Sequence, residues 1–327
     1  MFFKYIKLVL PLLFISSIFF VNQNLSTGCD TCGIGGFGGG QGSLRGQSAF
    51  SAQTQEKNQL SIGFLYEYQD WKHNDPIKAS LQNGEGRHGH SRRSDSVYNT
   101  IIGYGVTDKL TLTLQFPFVT RETRQTEDSD FIGQSERSSG QGDTIAFGKY
   151  RFYDKLFGAT AILGVKAPTG RTTETDKQGD RFEPEEQPGT GSTDFLFGLA
   201  MNKTFGKFTV NGSLLYQLKG SGTQDYEFGD IVRTSLMGAY TIKERGKYPG
   251  VQLLSGVNAQ FMEKDHENSE RVSDSGGTTV FFSPGLSSQF TDNLSASTAI
   301  MLPVLQNLGR DHQEVDSNIL FSIGYSF

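Results

Sequence analysis

Ser317–Phe327, SNILFSIGYSF, closes the sequence. Ile319, Phe321, Ile323, Tyr325 and Phe327 fall on every second position, and Ser322, Gly324 and Ser326 fill the other phase. A period of two, with one apolar face and one small or polar face, describes a β-strand. A soluble β-protein could end on such a strand as readily as a membrane protein, so the upstream chain has to decide.

Upstream the same period recurs. Leu60, Ile62, Phe64, Tyr66 and Tyr68 alternate with Ser61, Gly63, Glu67 and Gln69, and Leu110, Leu112, Leu114, Phe116 and Phe118 alternate with Thr111, Thr113 and Gln115. Tyr98, Ile102, Tyr104 and Val106 mark another strand, and further strands are expected over residues 144–153, 158–167, 193–201, 207–219, 231–242, 251–262, 278–290 and 294–304. Tight turns such as Thr107-Asp108-Lys109 and Thr291-Asp292-Asn293 join them at one end, where Asp and Asn bond the local backbone. Long polar stretches, 70–93, 120–143, 168–192 and 305–316, join them at the other. About twelve strands of about ten residues, with short turns on one side and long loops on the other, describe an all-β fold: a transmembrane antiparallel up-and-down β-barrel. A soluble barrel or sandwich has no reason to segregate loop lengths in this way.

Composition agrees. The chain of 327 residues has 40 Gly, 26 Phe and 12 Tyr, with a net charge of −5. After Val21 no apolar run is long enough for a membrane-spanning helix. The modest, mixed charge gives no reason to expect a nucleic-acid partner. Lys4 and Lys7 precede the apolar run Leu8–Val21, which reads as a secretory signal, so residues 1–28 are assigned to a signal peptide. Residues 29–58 begin CDTCGIGGFGGG and are expected to form a Gly-rich, Cys-containing flexible periplasmic segment or plug; residues 59–327 are the barrel. Cys29 and Cys32 read as a local disulfide in an oxidising compartment. The alternative is lipidation of Cys29, since Ser26-Thr27-Gly28-Cys29 loosely resembles a lipobox.

Lipid cannot satisfy a polar group, so the apolar phase must face outward. Leu112, Phe116, Leu163, Phe195, Leu214, Leu253, Phe282 and Phe321 belong to it. Aromatics near strand ends, among them Tyr68, Trp71, Tyr104, Phe118, Phe152, Tyr240, Tyr325 and Phe327, are expected in the two interfacial girdles. The opposite phase lines the lumen and supplies the candidate solute path: Glu67, Gln115, Lys149, Arg151, Lys166, Asp194 and Arg233. Lys166 and Asp194 lie on strands joined by one long loop, on the same face, and are expected to pair. Cations outnumber carboxylates on this face, which favours anions in a narrow lumen.

A terminal strand of alternating apolar residues ending on Phe327 is similar to the C-terminal signal of Gram-negative outer-membrane barrels, which implies the barrel assembly machinery as a partner. Tyr104-Gly105-Val106-Thr107-Asp108, Gly142-Asp143, Gly148-Lys149-Tyr150-Arg151-Phe152, Gly164-Val165-Lys166-Ala167-Pro168-Thr169-Gly170-Arg171 and Pro188-Gly189-Thr190-Gly191-Ser192-Thr193-Asp194-Phe195 occur in order. These pieces, within Tyr98–Phe327, resemble the outer-membrane barrel family labelled putative transporters of the meta pathway of phenol degradation, related to long-chain fatty acid channels. The resemblance implies passage of small aromatic or hydrophobic compounds across the outer membrane of a Gram-negative bacterium.

Other readings are weaker. All five His lie in expected loops, so no strand presents a His beside Ser as a barrel-wall lipase would need, and no cofactor motif is present. His73, His88 and His90 share the first long loop and could hold a transition metal, with imidazole as ligand. That pattern leaves a second reading, a surface-loop binding protein (metal capture or an adhesin) on a closed barrel. The Arg- and Lys-bearing loops are expected to meet lipopolysaccharide phosphates.

Overall fold

The computed structural model describes residues 47–72, 90–125, 133–243, 248–273, 275–308 and 313–327, without the side chains of residues 90, 91 and 125. The signal segment, Cys29, Cys32, His73 and His88 lie outside these residues, as does the side chain of His90. The fold is a closed antiparallel barrel of 12 strands. In chain order these are β1 (Leu60–Trp71), β2 (His90–Thr107), β3 (Leu110–Gln125), β4 in two pieces (Ser135–Gln141 and Thr144–Asp154), β5 (Gly158–Ala167) and β6 (Asp194–Phe205). There follow β7 (Phe208–Leu218), β8 (Ile231–Lys243), β9 (Gly250–Met262), β10 in two pieces (Gly277–Phe282 and Gly285–Gln289), β11 (Leu294–Leu308) and β12 (Val315–Ser326).

Each strand pairs with its neighbours in sequence. The ring closes where β1 meets β12, from Ser61 opposite Ser326 to Trp71 opposite Val315. Closure leaves no sheet edge, which is the condition for a sheet to sit in lipid. The pattern of burial is inverted relative to a soluble protein. Leu163 is 62% exposed and Phe197 45%, whereas Lys149 and Asp194 are 0%. Outward apolar residues form a band around the wall, and polar side chains fill the interior. Tyr325 and Phe327 stack edge to face at the short-turn end, as an interfacial girdle requires.

Three features depart from the sequence reading. Strands β2 and β3 run well past the expected loop boundaries, pairing from His90 opposite Gln125, and Ser135–Gln141 adds a further piece against β3. These extensions rise beyond the lipid into water, where both faces are polar and the hydrophobic period disappears. The expected strand 278–290 is broken at Ser283-Pro284, where Pro284 has no N–H to give to a ladder; Ser283 instead exchanges backbone bonds with Gly256. Trp71, expected in the girdle, points inward and donates from Nε1 to Asp95 Oδ2 at 2.9 Å. It shares the parity of Glu67 and Gln69, and that parity places it inside.

The interior is not uniformly polar. Leu65, Ile101, Ile145, Phe147, Ile162, Leu196, Leu215, Phe281, Met301 and Leu320 also point inward and form one contiguous apolar cluster. The cluster includes Ala49, Phe50 and Ala52, which precede the first strand. The segment leading into β1 is thus packed inside the barrel.

Candidate functional site: the occupied lumen

Two assemblies fill the lumen, one from each end. At the short-turn end, residues 47–57 enter the barrel and are fixed to its wall. Gln47 Nε2 donates to Ser61 Oγ at 2.6 Å, and the backbone N–H of Gln55 donates to Thr111 Oγ1 at 2.8 Å. Outside the wall strands, Thr54 Oγ1 donates to the Asp108 carbonyl at 2.8 Å, and Lys57 N–H donates to Asp108 Oδ1 at 2.9 Å. A turn at Ser48–Gln53 presents its carbonyls to the inner face of β4 and β5. Lys149 Nζ donates to the carbonyls of Ser48 and Gln53 at 2.8 and 2.7 Å. Arg151 Nη1 and Thr160 Oγ1 both donate to the Ala52 carbonyl, at 3.1 and 2.6 Å. Lys149 and Arg151 are two apart on β4 and so share its inner face, while Thr160 is the cross-strand partner of Arg151. Gly105 permits this close seating, because a Cβ there would lie 1.9 Å from the carbonyl oxygen of Glu56.

At the long-loop end a chain of alternating charges crosses the inner wall. Lys166 Nζ lies 2.9 Å from Asp194 Oδ2 and 3.3 Å from Asp143 Oδ2, and Lys219 Nζ lies 3.4 Å from Asp194 Oδ2. Lys166 and Asp194 are directly opposed on β5 and β6. Gln217 Nε2 donates to Asp194 Oδ2 at 2.7 Å, and Arg233 Nη1 donates to Gln217 Oε1 at 2.8 Å. These groups are buried, so each charge needs the next one; an unpaired member would keep its full desolvation cost. Among the other expected lumen residues, Glu67 accepts from Asn318 Nδ2 at 2.6 Å and Gln115 from Asn99 Nδ2 at 3.4 Å.

The same network anchors the 168–193 loop. Asp143 accepts from the N–H groups of Gly170 and Thr190, at 2.8 and 2.9 Å, and so clamps the two ends of the loop together. At this neck Gly170 and Gly189 are in contact: a Cβ on either would lie 2.6 Å from the Cα of the other. The body of the loop folds over the mouth. Ser138 on the outer piece of β4 donates to the Glu186 carbonyl. Arg92 on β2 donates from Nη2 to the Glu185 carbonyl at 2.5 Å. On the far side Gln224 Nε2 donates to the Phe182 carbonyl at 3.1 Å, and the Tyr226 hydroxyl contacts Glu185 Oε1 at 3.1 Å and Asp265 Oδ2 at 2.6 Å. Tyr226–Glu227, His266–Glu267 and Glu270–Arg271 form a small sheet that ties the neighbouring loops together. A loop rooted between β5 and β6 therefore reaches both β2 and the loops after β7 and β9, spanning the opening as a lid. Burial, with Glu185 beside it, pushes the Asp265 carboxyl up to about 6. The same surroundings raise the Tyr226 hydroxyl far above its ordinary value.

The structure thus brings Lys149 and Arg151 together at the inserted segment, and Lys166, Asp194 and Arg233 together beneath the lid. Glu67 lies within electrostatic reach of Arg233, and Gln115 belongs to neither assembly. Sequence reasoning did not single out Thr160, Tyr226 or Asp265, and it named Asp143 only within the Gly142-Asp143 piece of the resemblance, with no role. Thr160 was legible by parity as the inward neighbour of Arg151. Tyr226 and Asp265, like the clamping role of Asp143, depend on loop geometry that no local pattern carries. Among the described residues no group of His, Cys, Asp and Glu is arranged to hold a metal ion.

No family model and no curated relative matches the chain. Among solved structures, an outer-membrane channel from Pseudomonas putida F1 superposes with a TM-score of 0.61 at 17% identity, covering 84% of this chain and 98% of that one. A Pseudomonas aeruginosa FadL homologue gives a TM-score of 0.41 at 12% identity, covering 94% of this chain and 99% of that one. The CymD monoaromatic hydrocarbon channel gives 0.41 at 12%, covering 89% of this chain and 94% of that one. The likeness to the first is one of fold. With the apolar outer band, it places this barrel in the outer membrane of a Gram-negative bacterium.

Proposed function

We propose that this barrel is a channel for small solutes, aromatic or hydrophobic compounds and their carboxylates, held closed by its own N-terminal segment and by the 168–193 loop. The observation that carries this reading is the composition of the interior. A barrel whose only task was to be filled could be packed by wall side chains alone. Here a separate segment with its own turn occupies the lumen, and it covers an apolar cluster flanked by charged groups at both ends. Such a lumen, once vacated, offers apolar surface for a ring and cations for an acidic group.

The anion preference rests on Lys149, Arg151 and Arg233. Lys166 is less available, because Asp143 and Asp194 already flank it. The test is reversal potential under a salt gradient in planar bilayers, using barrel freed of residues 47–57 and of lid residues 171–188. Anion preference is expected, and replacing Arg151 and Arg233 by Glu should move selectivity toward cations. Cation preference in the unsubstituted barrel would keep the channel and remove the anion argument.

A further inference from the structure

The turn that fills the short-turn end has the chemistry of a ligand. Its carbonyl oxygens from Ser48, Ala52 and Gln53 receive one ammonium, one guanidinium and one hydroxyl donor from the wall. Between these residues Phe50 enters the apolar cluster that includes Phe147, Ile162 and Leu196. An aromatic ring in an apolar pocket beside oxygen acceptors on two cations is the arrangement an aromatic carboxylate would adopt. The backbone is the weaker occupant in one respect. Its carbonyls are neutral acceptors, whereas a carboxylate on Lys149 and Arg151 would form bonds charged on both sides, which are shorter and roughly twice as strong as neutral ones. The carboxylate near Arg151 in this structure, Asp154, takes Nη2 at 2.6 Å and is itself 60% exposed, leaving Nη1 to the turn.

We propose that Lys149, Arg151 and Thr160 form a carboxylate-binding site which the Ser48–Gln53 turn occupies as an internal substitute, so that an aromatic carboxylate displaces the turn and opens the barrel. The two occupants exclude one another, because they use the same donors and the same apolar pocket. Ligand binding and channel opening are then one equilibrium, and the ligand shifts it by its preference for the vacated site. This rests on the channel reading, and the experiment separates the two.

Protein purified from outer membranes is placed in planar bilayers at constant ionic strength, and millimolar benzoate is compared with benzamide, its neutral isostere. Benzoate is expected to raise the open fraction several-fold, and benzamide to leave it unchanged. A variant lacking residues 47–55 and lid residues 171–188 should conduct without benzoate and show no response to it. Lys149→Gln should raise basal opening and abolish the benzoate response, its folding checked by heat-modifiable migration on a gel. If the truncated barrel does not conduct, the channel reading itself is lost. If it conducts while benzoate and benzamide act alike on the intact protein, the site proposal is overturned and the channel stands. That comparison needs no substituted protein, so a misfolded Lys149→Gln would not leave the question open.

Discussion

Asp265 sits where three loops meet, and its surroundings turn the lid into a pH-dependent closure. The groups facing it are Glu185 from the 168–193 loop, and Tyr226, the Gly229 N–H and Lys219 from the chain after β7. One hydroxyl proton serves two carboxylates here, so a proton added to Asp265 removes a repulsion and supplies a second donor. Burial first, and then the Glu185 carboxylate, hold the carboxyl at about 6; the lid brings Glu185, so the closed form binds the proton more tightly. Closure is therefore strengthened as pH falls through about 6 and is weakest above it. Hydrogen exchange of residues 171–188, corrected for intrinsic rates, should be slower at pH 5 than at pH 8, and Asp265→Asn should abolish the difference. Equal protection at both pH values in the unsubstituted protein would contradict this account. At the same scale, Lys166→Met leaves Asp143 and Asp194 facing one another without their shared cation. A loss of about 3–5 kcal/mol is expected for breaking a buried pair of this kind, read as a lower unfolding temperature of the barrel on heat-modifiability gels. Lys166 and Asp194 were legible beforehand, because alternation fixed their face and the loop fixed their proximity. Asp143 was named only within the Gly142-Asp143 piece of the resemblance, and its clamping role was not legible, since it depends on the folded neck of the loop.

Among the elements, strands within the lipid were the most legible and strand ends the least. The bilayer enforces an apolar outer face only over its own thickness. Inside that span Leu110–Phe118 alternates cleanly; beyond it Arg121-Glu122-Thr123-Arg124-Gln125 continues the same strand with no hydrophobic signal. Strand β10 shows the converse: hydropathy runs through Ser283-Pro284, but the ladder cannot, and a pair of short strands results. The face assignment yields a direct check. Leu163 projects into the lipid from the middle of β5, and Leu163→Arg should cost about 2–4 kcal/mol if it lies near the midplane. Ile162→Arg, one residue on, would instead place a cation in the interior apolar cluster, beside the inserted segment. Urea unfolding in lipid vesicles measures the first, and an unchanged midpoint for Leu163→Arg would mean that this face does not meet lipid.

For the whole molecule, the barrel was legible from periodicity and loop lengths, but its contents were not. Alternation reports which side chains point inward; it cannot say what they meet there. The residues reserved for a solute path are largely engaged: Lys149 and Arg151 hold the inserted turn, and Lys166 and Asp194 brace the lid. The Gly-rich stretch before Gln47 gave a reason to expect a plug, while Phe50 and the carbonyls of its turn carried no sequence signal at all. Both ends of the lumen are thus closed by the chain itself. Such a molecule should be stable and impermeable until both closures yield. The most direct measurement is liposome swelling in an isotonic small solute, comparing the intact protein with a variant lacking both residues 47–57 and lid residues 171–188, whose removal joins the touching Gly170 and Gly189, both proteins verified as heat-modifiable barrels. The account predicts little swelling with the intact protein and rapid swelling with the shortened one. Equal impermeability of the two would contradict it.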